Sequence, residues 1–185
     1  MAFNIDGRLS FEHAFTPSSS NGSEPVYSAS ILMPKGSPEV KKVEDEMMRV
    51  ATDKWGAKGK DVLAKLVREN RVCLRDGSTK DYDGYDGMMF VSARNPSRPS
   101  VFNKKCEPIT KEDGGIYSGC YVNARIESWA QDNPKGGRRS NCKLVGLQFA
   151  KDGDAFGSGS GPAKASDFEV IEDDEPSDDD KKPWE

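Results

Sequence analysis

Hydrophobic and polar positions alternate most clearly over residues 116–131. Ile116, Ser118, Cys120, Val122, Ala124 and Ile126 make one small, apolar set; Tyr117, Gly119, Tyr121, Asn123, Arg125, Glu127 and Trp129 make an aromatic and polar one. A period of two this long predicts a strand with one face on a core and the other wet. Two readings of the second face stand side by side. Flat rings in a row with a cation suit stacking on unpaired bases beside a phosphate, while a strand buried on both faces would use the same rings as core.

The rest of the chain follows from the same patterning. Leu9, Phe11, His13 and Phe15 alternate with Arg8, Ser10 and Glu12, predicting a first strand over 8–15. A Ser/Pro/Asn/Gly-rich loop runs from Thr16 to Pro25, and Val26–Met33 reads as a strand covered on both sides. Ser37 and Pro38 then open a helix. Val40, Val43, Met47, Val50 and Trp55 recur along it at helical spacing, and Gly56 closes it. A shorter helix is expected over Asp61–Glu69, burying Leu63, Leu66 and Val67. Further strands are expected at Val72–Arg75, Met88–Arg94, Val101–Ile109 and Cys142–Ala150. In the third from last of these, Phe90, Ser92 and Arg94 alternate with Met89, Val91 and Ala93; the last carries Val145, Leu147 and Phe149 on one face. Asp132–Asn141 reads as a glycine-rich basic loop holding Arg138 and Arg139. The helices are expected to cover one side or end of a sheet.

Composition divides the chain in two. Of its 185 residues 35% are hydrophobic, and the mean hydropathy is -0.75, low for a wholly packed chain. Residues 167–185 hold ten of the 31 acids and two of the 27 Lys and Arg. The remainder therefore carries 21 acids against 25 bases, a balance of +4, beneath an overall charge of -4. Gly and Ser dominate from Lys151 to Gly161, which places the expected boundary near Asp154: a folded domain over 1–154 and a tail over 155–185. A basic body with an acidic tail is the asymmetry of a polyanion binder whose tail imitates its ligand. No run reaches the roughly 20 apolar residues of a membrane span, and Met-Ala-Phe-Asn-Ile-Asp does not open a signal peptide. Cys73, Cys106, Cys120 and Cys142 are widely spaced, which fits free thiols in a reducing cytosol.

Candidate chemistry narrows the field. Asp81, Asp83 and Asp86 miss the calcium-loop pattern, because Tyr85 and Asp86 stand where a ligand and a glycine are needed. One His and four scattered Cys lack structural-zinc spacing, and no phosphate-binding glycine motif follows a strand. Neither metal nor cofactor nor catalytic residue is expected. What remains is a basic and aromatic set: Arg8, Phe90, Arg94, Lys104, Lys105, Tyr117, Tyr121, Arg125, Trp129, Arg138 and Arg139. Cations that follow a phosphate backbone, with rings for the bases, make a single-strand groove.

Gly-Arg-Leu-Ser-Phe-Glu-His-Ala-Phe (7–15), Pro-Val-Tyr-Ser-Ala-Ser-Ile-Leu-Met-Pro-Lys (25–35), Leu-Arg-Asp-Gly (74–77) and Tyr-Ser-Gly-Cys-Tyr (117–121) resemble bacteriophage single-stranded DNA-binding proteins over roughly residues 7–157. The resemblance implies a mainly β OB-fold: a five-stranded Greek-key barrel with a helical insertion and a disordered acidic C-terminal tail. It also implies a protein of the host-cell cytoplasm that coats and protects unpaired DNA in replication and recombination with little sequence preference. Replication or recombination proteins would meet the tail at Asp178, Asp179, Asp180 and Trp184. The tail departs from the family pattern in ending Lys-Lys-Pro-Trp-Glu rather than on an aromatic after acids. A protein-binding scaffold with a solubilising tail is the competing reading, and self-association is left open.

Overall fold

Strands β1 (Phe3–Ser18), β2 (Val26–Pro34), β3 (Leu74–Asp76), β4 (Met88–Asn95), β5 (Ser100–Phe102), β6 (Tyr121–Asn133) and β7 (Gly137–Lys151) and helices α1 (Pro38–Trp55) and α2 (Gly59–Arg68) make up a computed structural model that describes residues 1–19 and 22–157. β1 pairs antiparallel with β2 and with β6, β2 with β4, and β6 with β7. One parallel contact, Arg94 against Lys143, joins β4 to β7 and closes a ring of five strands. β3 adds to the free edge of β4, and β5 runs parallel beside β7. This is the closed, mostly β barrel with a helical insertion that the resemblance implied.

Alternating positions fill the barrel. Ile5, Leu9, Ile31, Met33, Val91, Ala93, Val122, Ala124, Ile126, Leu144 and Leu147 form its interior, and Val43, Met47 and Ala51 of α1 with Leu63 and Leu66 of α2 continue the same cluster. α1 begins as expected: the Ser37 hydroxyl accepts from the Val40 N–H at 3.4 Å, and Pro38 occupies the first turn. It ends where Gly56 takes a φ of 58°. Its outer face carries pairs of mixed sign, Lys41–Asp45, Lys42–Glu39 and Arg49 with Glu46 and Asp53. Exposed pairs of this kind contribute little each. No helix among the described residues is long and apolar enough to cross a membrane.

Several local expectations are corrected. β6 starts at Tyr121 rather than Ile116, because Gly119 adopts a φ of 115° and turns the chain. Its parity holds beyond that point, with Val122, Ala124, Ile126 and Ser128 buried while Arg125 and Trp129 are exposed. Burial on both faces is thereby ruled out at Arg125 and Trp129. The regular alternation expected in β1 breaks at Phe11, which sits at a φ of 49° within a register shift between Ser10 and His13; the bulge turns Phe11 outward and Ala14 inward. Arg138 and Arg139 belong to β7, opposite Asp132 and Gln131, because the hairpin turn is tighter than the glycine content suggested. A register shift between Arg125 and Ile126 also divides the expected Val145, Leu147 and Phe149 face: Leu147 is buried, and Val145 and Phe149 only half so. Val67 of α2 is exposed. The strand expected at Val101–Ile109 stops at Phe102, since the Asn103 carboxamide accepts from the Lys105 and Glu107 N–H groups and folds a turn that displays Lys104 and Lys105.

Phe90 is the largest correction, for it was expected on a wet face and is 3% exposed. It joins Leu32 and Tyr85 in a small second cluster on the outer surface of β2 and β4, under the loop that follows β3. The Arg75 guanidinium lies 5.0 Å from its ring.

Arg8 secures the last described segment. It donates from Nε to the Gly119 carbonyl at 2.9 Å and from Nη2 to the Asp154 carbonyl, and its guanidinium stands 4.2 Å from the Phe156 ring. Phe156 donates its N–H to the Ser118 carbonyl at 3.0 Å, and the Tyr117 hydroxyl accepts from the Gly153 N–H at 3.1 Å.

Two outcomes follow. Phe90→Ala lowers unfolding stability by about 3 kcal/mol, the low end for a buried ring, in denaturant titration; a loss below about 1 kcal/mol would show that the ring is not core. Arg8→Ala costs about 2 kcal/mol, through hydrogen bonds made by a charged donor, and speeds proteolysis within 152–157. Unchanged cleavage there would contradict the anchoring role.

Candidate nucleic-acid interface

A groove opens where β4 and β7 separate on either side of their single parallel contact. Its cavity is about 760 Å³. Three stretches supply its walls. Arg94 and Asn95 come from the end of β4 and Ser97 from the loop after it; Arg139, Asn141 and Lys143 come from β7, and Arg71, Cys73 and Arg75 from the segment after α2. Trp129 and Gln131 of β6 complete the rim. Asn95 donates to the Leu144 carbonyl at 2.7 Å and so ties the two strands together at the floor. The Ser140 N–H donates to the Arg71 carbonyl at 3.1 Å, which fixes the segment after α2 against β7. The Arg71 guanidinium donates to the Gly136 carbonyl in the hairpin turn, and Asn141 donates to Gln131 across the hairpin at 3.2 Å.

Five cations converge on this groove, Arg71, Arg75, Arg94, Arg139 and Lys143, and among the described residues no carboxylate lines it. None of the five makes an ion pair with a described carboxylate, in contrast to the paired charges of α1. Arg75 is the most constrained: it donates from Nη2 to the Ser92 hydroxyl at 2.7 Å and covers Phe90. Burial pulls its pKa below the ordinary arginine value, and the nearby charges of Arg94 and Arg139 add to this. The floor is built from small buried side chains. Cys73 and Cys142 are both buried, and hydrogen bonding with Cys73, followed by burial, pushes the Cys142 thiol well up. Trp129 stands at the edge and is 44% exposed. Concave shape, like-signed charge and one accessible ring form a site for an anionic chain that carries flat groups.

The residues singled out from sequence are distributed over the surface. Arg94, Trp129 and Arg139 meet in the groove. Arg138, next to it, is held by Asp132 at 3.0 Å and lies 5.8 Å from the Trp55 ring. Lys104, Lys105 and Arg125 lie further along β7, where Lys104 stands 5.6 Å from the Phe149 ring and Arg125 donates to Asn4 at 3.0 Å. Arg8, Tyr117 and Tyr121 surround the segment 152–156, Tyr121 being flanked by Lys151 at 4.5 Å and Arg8 at 5.8 Å. Phe90 is core. Asp178, Asp179, Asp180 and Trp184 lie outside the described residues. Sequence reasoning missed Arg71, Arg75 and Lys143. Lys143 could have been found, since it shares its strand parity with Arg139 and Asn141. Arg71 and Arg75 reach the groove only through the tertiary path after α2.

Comparison with known proteins agrees with this architecture. Residues 4–180 match the family described as the ssDNA-binding protein of Enterobacter phage Enc34. "Putative protein p50" of Acyrthosiphon pisum secondary endosymbiont phage 1 is 39% identical over 168 residues, 89% of this chain and 90% of that protein. The single-stranded DNA-binding protein from bacteriophage Enc34, solved in complex with ssDNA, superposes with a TM-score of 0.72 at 28% identity, over 84% of this chain and 89% of its own. The bacteriophage T7 single-stranded DNA-binding protein gp2.5 shares the fold, with a TM-score of 0.59 at 15% identity over 93% of this chain and 96% of its own. With nearly its whole length matched, the chain belongs to the Enc34 phage ssDNA-binding protein family.

Proposed function

We propose that this chain is a phage single-stranded DNA-binding protein that holds unpaired DNA in the groove between β4, β7 and the segment after α2. The observation that carries the reading is the convergence of five cations and an exposed tryptophan on a groove that no carboxylate among the described residues lines. Arg71, Arg94, Arg139 and Lys143 pair with successive phosphates, and each pairing releases condensed counterions. Arg75, fixed by Ser92 and Phe90, adds a charge that does not need to be ordered on binding. Trp129 stacks on a base. Every base has a flat face and every nucleotide a phosphate, so this arrangement discriminates little among sequences. The protein thereby coats and protects unpaired DNA in replication and recombination. It works by binding rather than by catalysis, in the host-cell cytoplasm. Arg8, Tyr117 and Tyr121 support the site through the fold, and Lys104, Lys105 and Arg125 meet DNA that leaves the groove along β7.

The division into a body over 1–154 and a tail over 155–185 belongs to the same proposal. Ten acids within 167–185 follow a Gly/Ser-rich tether, which keeps them near the body at high effective concentration. They compete with DNA for the cationic groove. Once displaced, Asp178, Asp179, Asp180 and Trp184 are available to replication or recombination proteins, the acids for a basic pocket and Trp184 as an apolar anchor.

Salt titrations test the groove. The logarithm of the affinity falls linearly with the logarithm of salt concentration, at about -0.7 per phosphate contact, and Arg94→Ala and Arg139→Ala each reduce that slope by about 0.7. Trp129→Ala weakens binding by about 1–3 kcal/mol with an unchanged melting temperature. Salt-independent binding, or variants that bind as the parent does, would contradict the site. Deleting residues 162–185 strengthens binding most at low salt, because screening shortens to a Debye length of about 10 Å at 0.1 M. Equal affinities for the two proteins at low and at physiological salt would rule out competition by the tail.

A further inference from the structure

Two exposed aromatic side chains stand apart from the groove, with no part in the function proposed above. Phe11 is 46% exposed and Tyr82 50%, and their rings meet edge to face at 5.0 Å. Each leaves about half of its surface in water, although both rings also touch Tyr85. Phe11 is also held at a φ of 49°, in the left-handed region that bulky residues seldom adopt. The bulge that imposes this conformation is what turns its ring outward. Backbone outliers of this kind gather where a side chain must be presented to a ligand.

The pair is joined to the groove. Tyr82 touches Tyr85 at 5.4 Å, Tyr85 touches Phe90 at 5.2 Å, and Arg75, which lines the groove, lies 5.0 Å from the Phe90 ring. Tyr85 and Phe90 are buried, so the ladder is solid in its middle and open at its far end. Register places its footing on the outer surface of the barrel, where Ser10 pairs with Ser30 and Ser30 with Ser92, the residue that accepts from Arg75. Next to the exposed pair is a recess of about 360 Å³, rimmed by Asp81, Asp83 and Phe156. Carboxylates there repel phosphate, so a strand crossing this point turns a base inward and its backbone outward.

We propose that the single-stranded DNA track continues from the groove across this ladder and ends on a stacking shelf made by Phe11 and Tyr82. The proposal rests on the groove reading and adds a second base-binding position to it. Continuity with the cationic groove favours DNA over a basic protein segment, which the carboxylates alone would also suit.

The test compares binding of oligo-dT of increasing length, from about 4 to about 16 nucleotides, the span of single OB-fold sites. Full-length parent, Phe11→Ala/Tyr82→Ala, Tyr82→Phe and Arg94→Ala are measured side by side, each with its melting temperature. The double variant binds the shortest oligomers as the parent does and loses about tenfold on the longest, as for one lost base stack. Tyr82→Phe keeps the ring and keeps the gain with length. Arg94→Ala weakens binding at every length. Parent-like binding of the double variant at all lengths, with Arg94→Ala still impaired, overturns the shelf and leaves the groove standing. An unimpaired Arg94→Ala removes the groove and the extension with it.

Discussion

Closure of the barrel through one parallel contact is the constraint on which the candidate binding surface depends. Arg94 and Lys143 are adjacent only because β4 and β7 meet there, and the Asn95 bond to Leu144 holds that meeting in place. On either side the strands diverge, since β4 turns into the loop after Asn95 and β7 turns toward its hairpin with β6. The divergence leaves a concavity rather than a sheet. Cations from sequence positions as distant as Arg71 and Lys143 line it because the ring is closed.

Crowding like charges in one groove opposes folding, and the structure shows how the opposition is contained. Arg75 is half-buried, and burial together with the charges of Arg94 and Arg139 disfavours its charged form. It remains because Ser92 accepts from it and Phe90 offers the face of its ring. The Arg71 guanidinium is occupied by a backbone carbonyl of the hairpin turn. Along the outer face of α1, by contrast, Lys41, Lys42 and Arg49 are each paired with a carboxylate. Phosphates bound as proposed would relieve the crowding in the groove.

Much of the fold was legible because period and capping speak locally. Ser37, Pro38 and Gly56 bounded α1, and the parity of β6 separated Val122, Ala124 and Ile126 from Arg125 and Trp129. The failures came where one residue broke the period. Gly119 delayed β6, Phe11 inverted β1, and a tight turn moved Arg138 and Arg139 from a loop into β7. Of the candidate site, Arg94, Trp129 and Arg139 were legible as exposed members of strands. Arg71 and Arg75 were not, since only the return of the chain after α2 carries them to the groove. Phe90 was misplaced because strand parity cannot show that a later loop, carrying Tyr85, folds over the outer face of a barrel.

Photocrosslinking tests the central claim most directly. Full-length protein bound to oligo-dT with scattered 5-iodo-deoxyuridine is irradiated, digested and mapped by mass spectrometry. The groove predicts adducts concentrated on Trp129 and on the peptides holding Arg71–Arg75, Ser92–Ser97 and Arg139–Lys143. Adducts confined to the surface of Lys104, Lys105, Arg125 and Phe149, with none in the groove, would contradict it.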